Sequence, residues 1–127
     1  MDDVLAEALA PVLRDVERAG LLPPVVDDAD WIGDPEYVSA MMWDRSGSGA
    51  GISVPRNADL VTRVVVVADQ VQEWVIESQL WGAAPTNWPP CPTHPDSHPL
   101  QALLVHDGTA AWTCPRDGAT IAPVGDV

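Results

Sequence analysis

Residues 91–118 read CPTHPDSHPLQALLVHDGTAAWTCPRDG and contain both cysteines of the 127-residue chain. Each Cys is followed by Pro and, three residues on, by a second side chain able to bind a metal: His94 after Cys91 and Asp117 after Cys114. Thiolate sulfur and imidazole nitrogen are the ligands that zinc most often has in proteins. The stretch therefore predicts two halves of one metal site, separated by about twenty residues.

The segment between the two halves indicates how they meet. Asp107-Gly108 is a strong two-residue turn signal, and the apolar flanks 102–106 and 109–113 are expected to pair as strands. With this register His106 lies beside Thr109, and Gln101 lies opposite Cys114. The loop that carries Cys91 enters at the same end of the hairpin. His106 would then lie roughly 16 Å from Cys114 and is expected to be an exposed strand residue, not a ligand.

This C-terminal part resembles a zinc ribbon, in which two Cys-Pro-x-Cys turns at one end of a hairpin bind one ion. Here the turns are Cys91-Pro92-Thr93-His94 and Cys114-Pro115-Arg116-Asp117-Gly118, with His and Asp in place of the second Cys. The resemblance covers about 35 residues and implies a structural zinc ion. The run from Trp88 to Leu100 is also similar to one in small actinobacterial proteins, and the absence of Lys and Phe is typical of a GC-rich genome.

The fourth ligand has two candidates. His98 gives the set Cys91, His94, His98 and Cys114, which combines thiolate and neutral imidazole ligands. Asp117 keeps the ribbon pattern but adds a third negative charge, so His98 is favoured. Two other states of the cysteines stay open: both free and buried, or joined as a disulfide, which a reducing compartment disfavours.

The rest of the chain predicts an α+β fold. An N-terminal helix precedes a β-hairpin and a long amphipathic helix, and the zinc-ribbon-like hairpin follows. The domains are expected at 1–82 and 83–127, packed as one unit. The first predicted helix covers 2–19 and is capped by Asp2 or Asp3. A loop over 23–36 and two strands over 37–43 and 51–54 follow it. The second predicted helix covers 57–81, is capped by Asn57 and is ended by Gly82.

Pro11 lies inside the first predicted helix, where it is expected to kink the helix or to begin a shorter one. Trp88 and Trp112 flank the metal-type residues in sequence. We expect these two indoles to shield the site.

The charge restricts the partners. With a formal net charge of −13 the chain repels phosphate backbones and anionic lipid surfaces, so we expect no direct nucleic-acid or membrane binding. The start of the sequence lacks the basic and apolar regions of a secretion signal, which predicts a cytoplasmic location. A protein partner, neutral or basic, fits best.

These features favour a small acidic binding or adaptor protein with a structural zinc site and no catalytic activity. Two alternatives remain. If only Cys91, His94 and Cys114 bind the ion, an open fourth position would suit a small zinc-dependent enzyme. The acidic surface would also suit an inhibitor or immunity-type protein that blocks a basic partner.

Overall fold

The computed structural model describes residues 1–80 and 87–127 and has the α+β architecture that the sequence predicts. Within these residues it contains two helices and eight strands, which form three small antiparallel sheets. The elements are α1 (Asp3–Arg18), β1 (Val25–Asp28), β2 (Tyr37–Trp43), β3 (Gly49–Pro55), α2 (Leu60–Gln79), β4 (Pro90–Cys91), β5 (His94–Pro99), β6 (Gln101–Leu104), β7 (Ala110–Thr113) and β8 (Thr120–Pro123).

Helix α1 begins and ends as the sequence predicts. The Asp2 side chain accepts a hydrogen bond from the Val4 N–H and caps the N-terminus. Gly20 has a φ of 76° and follows the last turn, where the Leu21 N–H donates to the Val16 carbonyl. The helix runs through Pro11 without ending there. Its buried face joins the core through Leu5, Ala8, Leu9, Val12 and Val16.

The first sheet has the order β1-β2-β3. The predicted strand over 37–43 is confirmed, and its partner β3 is longer than the predicted 51–54. The prediction of a loop over 23–36 is wrong for β1, which pairs along one side of β2. This strand contains two Asp and buries little of its surface, so its hydrogen bonds to β2, not its own apolar pattern, define it.

Helix α2 begins later than predicted. Its N-cap is Asp59 and not Asn57: the Asp59 side chain accepts a hydrogen bond from the Thr62 N–H at 3.0 Å. The structure describes the helix up to Gln79. The predicted last helical residue, Trp81, and the predicted stop at Gly82 lie outside the described residues. Its buried residues are Val64, Val67, Ala68, Val71, Trp74 and Val75.

The hairpin of β6 and β7 forms with a register one residue away from the predicted one. Gln101 lies opposite Thr113 instead of Cys114, because the turn holds three residues and not two. The Val105 N–H donates to the Thr109 carbonyl, and Gly108 adopts a φ of 85°. This is the three-residue hairpin turn in which a glycine occupies the left-handed position. Strand β8, which the sequence analysis did not predict, pairs with the other side of β7.

Helix α2 contacts α1, the strand β3 of the first sheet, and the C-terminal strands β6 and β7. The buried residues of the described chain form one hydrophobic cluster that includes side chains from both helices, the first sheet and the C-terminal strands. The predicted domain boundary at 82/83 falls outside the described residues and stays a prediction. In the described part of the chain, neither helix is long and apolar enough to cross a membrane.

Candidate metal site

Three of the four candidate ligands come from the short hairpin of β4 and β5. Cys91 ends β4 and lies opposite His94, the first residue of β5, across a turn made by Pro92 and Thr93. His98 follows on the same strand. Because side chains alternate along a strand, residues four apart point to the same side, and both imidazoles face Cys91.

The fourth candidate, Cys114, comes from the turn that joins β7 to β8. Its N–H donates to the Ala119 carbonyl and its own carbonyl accepts from the Gly118 N–H, each at 2.8 Å. Gly118 has a φ of 77°, a conformation that side-chain-bearing residues rarely adopt. The turn directs the thiol back toward the β4–β5 hairpin.

The ligand atoms of Cys91, His94, His98 and Cys114 all lie within 4.8 Å of one another, so the group could hold a metal ion. Nδ1 of His94 is 3.6 Å from Sγ of Cys91 and 3.6 Å from Sγ of Cys114. Nε2 of His98 is 3.8 Å from Sγ of Cys114 and 3.3 Å from Nδ1 of His94. The prediction that the two Cys-Pro turns meet is therefore confirmed at the level of the side-chain atoms.

The hydrogen bond of the His98 imidazole favours a lone pair directed into the group. Nδ1 of His98 lies 3.0 Å from the Pro99 carbonyl oxygen, which can only accept a hydrogen bond. Nδ1 therefore carries the proton, and Nε2 presents its lone pair to the other three ligand atoms. Both thiols are buried, whereas the two imidazoles are half-buried.

The environments of the two thiols differ. Burial opposes ionisation of Cys91, but hydrogen bonds from the side chain and backbone of Thr93 and from His94 outweigh it and lower the pKa of the thiol to about 6. Burial raises the pKa of Cys114, and the Cys91 sulfur adds to this effect, while the N–H groups of Asp117 and Arg116 oppose it. Of the two, Cys91 is thus the thiol that ionises first.

Asp117 lies beside the group but is not one of its four members. Its carboxylate accepts the Ala119 N–H at 2.8 Å and so takes part in the turn that follows Cys114. That N–H, the Cys114 thiol and the nearby charges of His94 and His98 hold its pKa below the usual range. The structure brings His98, not Asp117, into the cluster.

The other sequence predictions have mixed outcomes. His106 is exposed as predicted, but it occupies the turn and not a strand. Trp88 and Trp112 are both buried and pack edge to face, with ring centroids 5.6 Å apart. Their predicted role as a shield of the metal-type residues stays a prediction.

Sequence reasoning missed Thr93, whose hydroxyl lies 3.3 Å from Sγ of Cys91 and 3.1 Å from Nδ1 of His94. Its position inside the Cys-x-x-His turn was the available signal. The group as a whole could hold a metal ion through two sulfur and two nitrogen atoms.

Comparison with known proteins gives no further indication of function: no family model matches the chain, and no curated protein or solved structure is significantly similar to it.

Proposed function

We propose that this protein is a small non-catalytic binding or adaptor protein whose C-terminal part is stabilised by a structural zinc ion in a zinc-ribbon-like site. The proposed ligands are Cys91, His94, His98 and Cys114. The main support for the proposal is the set of distances between the ligand atoms of these four residues.

The distances agree with the edges of a zinc tetrahedron. With bonds of about 2.3 Å to sulfur and 2.05 Å to nitrogen, a regular tetrahedron has a nitrogen–nitrogen edge of about 3.3 Å and sulfur–nitrogen edges of about 3.6 Å. The corresponding distances are 3.3 Å between His94 and His98 and 3.6, 3.6 and 3.8 Å for the sulfur–nitrogen pairs. Four of the six separations thus match the edges of a zinc tetrahedron, and the remaining two are at most 4.8 Å, which supports zinc as the bound ion.

The chemistry of the four ligands favours a structural role over a catalytic one. Two thiolates balance the charge of a divalent ion, and two neutral imidazoles complete a shell of four without a water molecule. A catalytic zinc keeps one position open for water or substrate. With His98 in the cluster, an open position would require one of the four to withdraw.

The surrounding structure supports a stabilising role for an ion. Strand β4 has two residues, and none of the six residues of β5 is buried, so this hairpin has little apolar surface to bury. An isolated two-stranded hairpin is marginally stable in water. A metal ion that joins this hairpin to the β7–β8 turn would supply the missing stability.

Elemental analysis of untagged, reduced protein tests the zinc proposal directly. We expect about one zinc per chain, and a cobalt-substituted sample with the visible absorption of a four-coordinate site that contains two thiolates. Asp117→Asn should retain the metal, whereas His98→Ala should lose it or bind it much more weakly. A metal-free protein with two reactive thiols would refute the proposal, and retention by His98→Ala with loss by Asp117→Asn would reassign the fourth ligand.

The binding role rests on an acidic surface with an exposed aromatic residue. Trp31 is 52% exposed, and its sequence neighbours Asp27, Asp28, Asp30 and Glu36 are exposed as well. The Trp31 Nε1 donates to the Ala40 carbonyl at 3.0 Å, so the ring is held in place on the sheet. A rigid exposed indole among carboxylates is typical of a protein-binding surface that selects a basic partner.

Binding to purified basic proteins, including a nuclease and a DNA-binding protein, tests this surface. We expect binding that weakens with salt and weakens further, about tenfold or more, in Trp31→Ala. Leu103→Ala, an exposed apolar residue of β6, is the matched control. Inhibition of the nuclease would assign the inhibitor role, and salt-independent binding would refute electrostatic selection.

A further inference from the structure

A cavity of about 470 Å³ lies on the side of the molecule formed by the ends of β2 and α2. Its apolar walls are Leu22, Pro23, Val25, Trp43 and Trp74. The volume falls within the range of about 300–1,000 Å³ that is usual for small-molecule sites. An adjoining cavity of about 230 Å³ shares Asp44, Trp74 and Ser78 with it and adds Glu77.

The two indoles are fixed in position. Trp43 lies against Gly49, its partner across the β2–β3 ladder, where an added Cβ would come within 2.6 Å of the ring. Only a glycine allows this close approach. Trp74 is 6% exposed and is held by the core. Two rigid aromatic side chains therefore line a preformed cavity.

Two carboxylates line the two cavities beside these rings. The Asp44 Oδ1 accepts hydrogen bonds from the Ser46 hydroxyl and from the N–H groups of Ser46 and Ser48. The Ser46 hydroxyl and these N–H groups hold the pKa of Asp44 below its ordinary value, so the carboxylate stays charged at neutral pH. Glu77 adds a second carboxylate, and the exposed Arg45 is the one cationic side chain among the lining residues.

We propose that this cavity binds a small organic cation of the alkylammonium class. Aromatic rings attract an ammonium group through their negative faces, and indole does so most strongly. Asp44 of this cavity and Glu77 of the adjoining cavity complement the positive charge. A neutral apolar ligand would use the rings but gain nothing from the carboxylates, and an anion would be repelled by them. The site does not include the metal ligands and does not depend on the zinc proposal.

Calorimetry with choline and with its uncharged carbon isostere, 3,3-dimethylbutan-1-ol, tests the charge requirement. The two probes have nearly the same shape, so a difference between them reports the cation. We expect choline to bind at least about tenfold more tightly than the isostere. Equal binding of both probes, tighter binding of a carboxylate probe such as benzoate, or no binding of choline would each overturn the proposal.

Matched aromatic variants test the location. Trp43→Ala should weaken choline binding about tenfold, whereas Tyr37→Ala, which removes an exposed aromatic side chain from the other end of β2 outside the cavity, should leave it unchanged. Arg45→Ala should tighten binding, because it removes the competing positive charge. If Trp43→Ala unfolds, Asp44→Asn and Glu77→Gln replace it, and each should weaken binding. Equal effects of Trp43→Ala and Tyr37→Ala would refute the assigned site.

Discussion

Asp15 on α1 and Trp112 on β7, 97 residues apart in sequence, are joined by a hydrogen bond of 2.8 Å from the indole Nε1 to the carboxylate. Both side chains are fully buried. The same carboxylate accepts the backbone N–H of Gly125 at 2.7 Å and of Val127 at 2.9 Å. One charged side chain of the first helix thus pairs with three donors of the C-terminal region.

Replacement of Asp15 should be among the most destabilising changes outside the metal site. Asp15→Ala leaves three N–H donors without a partner, and we expect a loss of about 3 kcal/mol in the free energy of unfolding. Asp15→Asn keeps one acceptor oxygen and should lose about half as much. Urea denaturation measures both, with the exposed Glu17→Ala of the same helix as control. A loss no larger than that of the control would show that these hydrogen bonds contribute little.

Gln72 connects α2 to the proposed metal-binding hairpin. Its side-chain amide donates to the carbonyls of Trp88 at 3.0 Å and of Leu100 at 2.5 Å. Gln72→Glu removes both donors and sets a carboxylate against two carbonyl oxygens. We expect a loss of about 2 kcal/mol in the free energy of unfolding and weaker metal binding.

The exposed Gln101→Glu is the matched control, since it adds the same charge near the same strands. Competition with a chelator of known affinity measures the metal binding. If both variants behave alike, the added charge and not the lost hydrogen bonds is responsible.

The sequence predicted well what depends on local pattern. The caps of α1, the strand from Tyr37 to Trp43 and the meeting of the two Cys-Pro turns follow from residue type and spacing. Elements set by distant contacts were not predictable. The strand β1 is defined by its pairing with β2. The Asp15–Trp112 hydrogen bond joins α1 to β7, two elements that are far apart in sequence.

The register of the β6–β7 hairpin differs by one residue from the one predicted from sequence. Asp107-Gly108 predicts a two-residue turn, but the Asp107 side chain accepts the Thr109 N–H at 2.9 Å and a three-residue turn forms. Cys114 follows the strand in both registers. It loses only the predicted pairing with Gln101 and lies in the β7–β8 turn, where it still meets His94. Convergence of the ligands therefore did not depend on the predicted pairing of Gln101 with Cys114.

Cys114 and His106 provide a test of which residues stabilise the C-terminal part. Cys114→Ser removes a proposed ligand, and we expect loss of the metal and of hydrogen-exchange protection in the strands β5 to β8. His106→Ala changes an exposed turn residue and should shift stability by less than about 0.5 kcal/mol. Equal effects of the two changes would contradict the assignment of Cys114 as a ligand.

Removal of the metal should affect the two parts of the chain unequally. Because an ion that binds only the folded state stabilises it by mass action, chelation should lower the melting temperature by about 10 °C or more. Protection of amides should fall first after residue 87 and persist longer in α1. An unchanged melting curve after proven removal of the metal would mean that the ion has no structural role.

Asp59 provides a pH-dependent test of the corrected start of α2. The hydroxyl and N–H of Thr62 hold the pKa of this carboxyl below its ordinary value of 3.8. A lowered pKa in the folded state contributes stability above about pH 4 that is lost as the pH falls through the folded pKa. Asp59→Ala should therefore lower the melting temperature by about 3 °C at neutral pH, and the difference from wild type should shrink in acid. Asn57→Ala, at the position predicted from sequence, is the control. If Asn57→Ala lowers the melting temperature more than Asp59→Ala does, the helix begins at Asn57 as the sequence predicts.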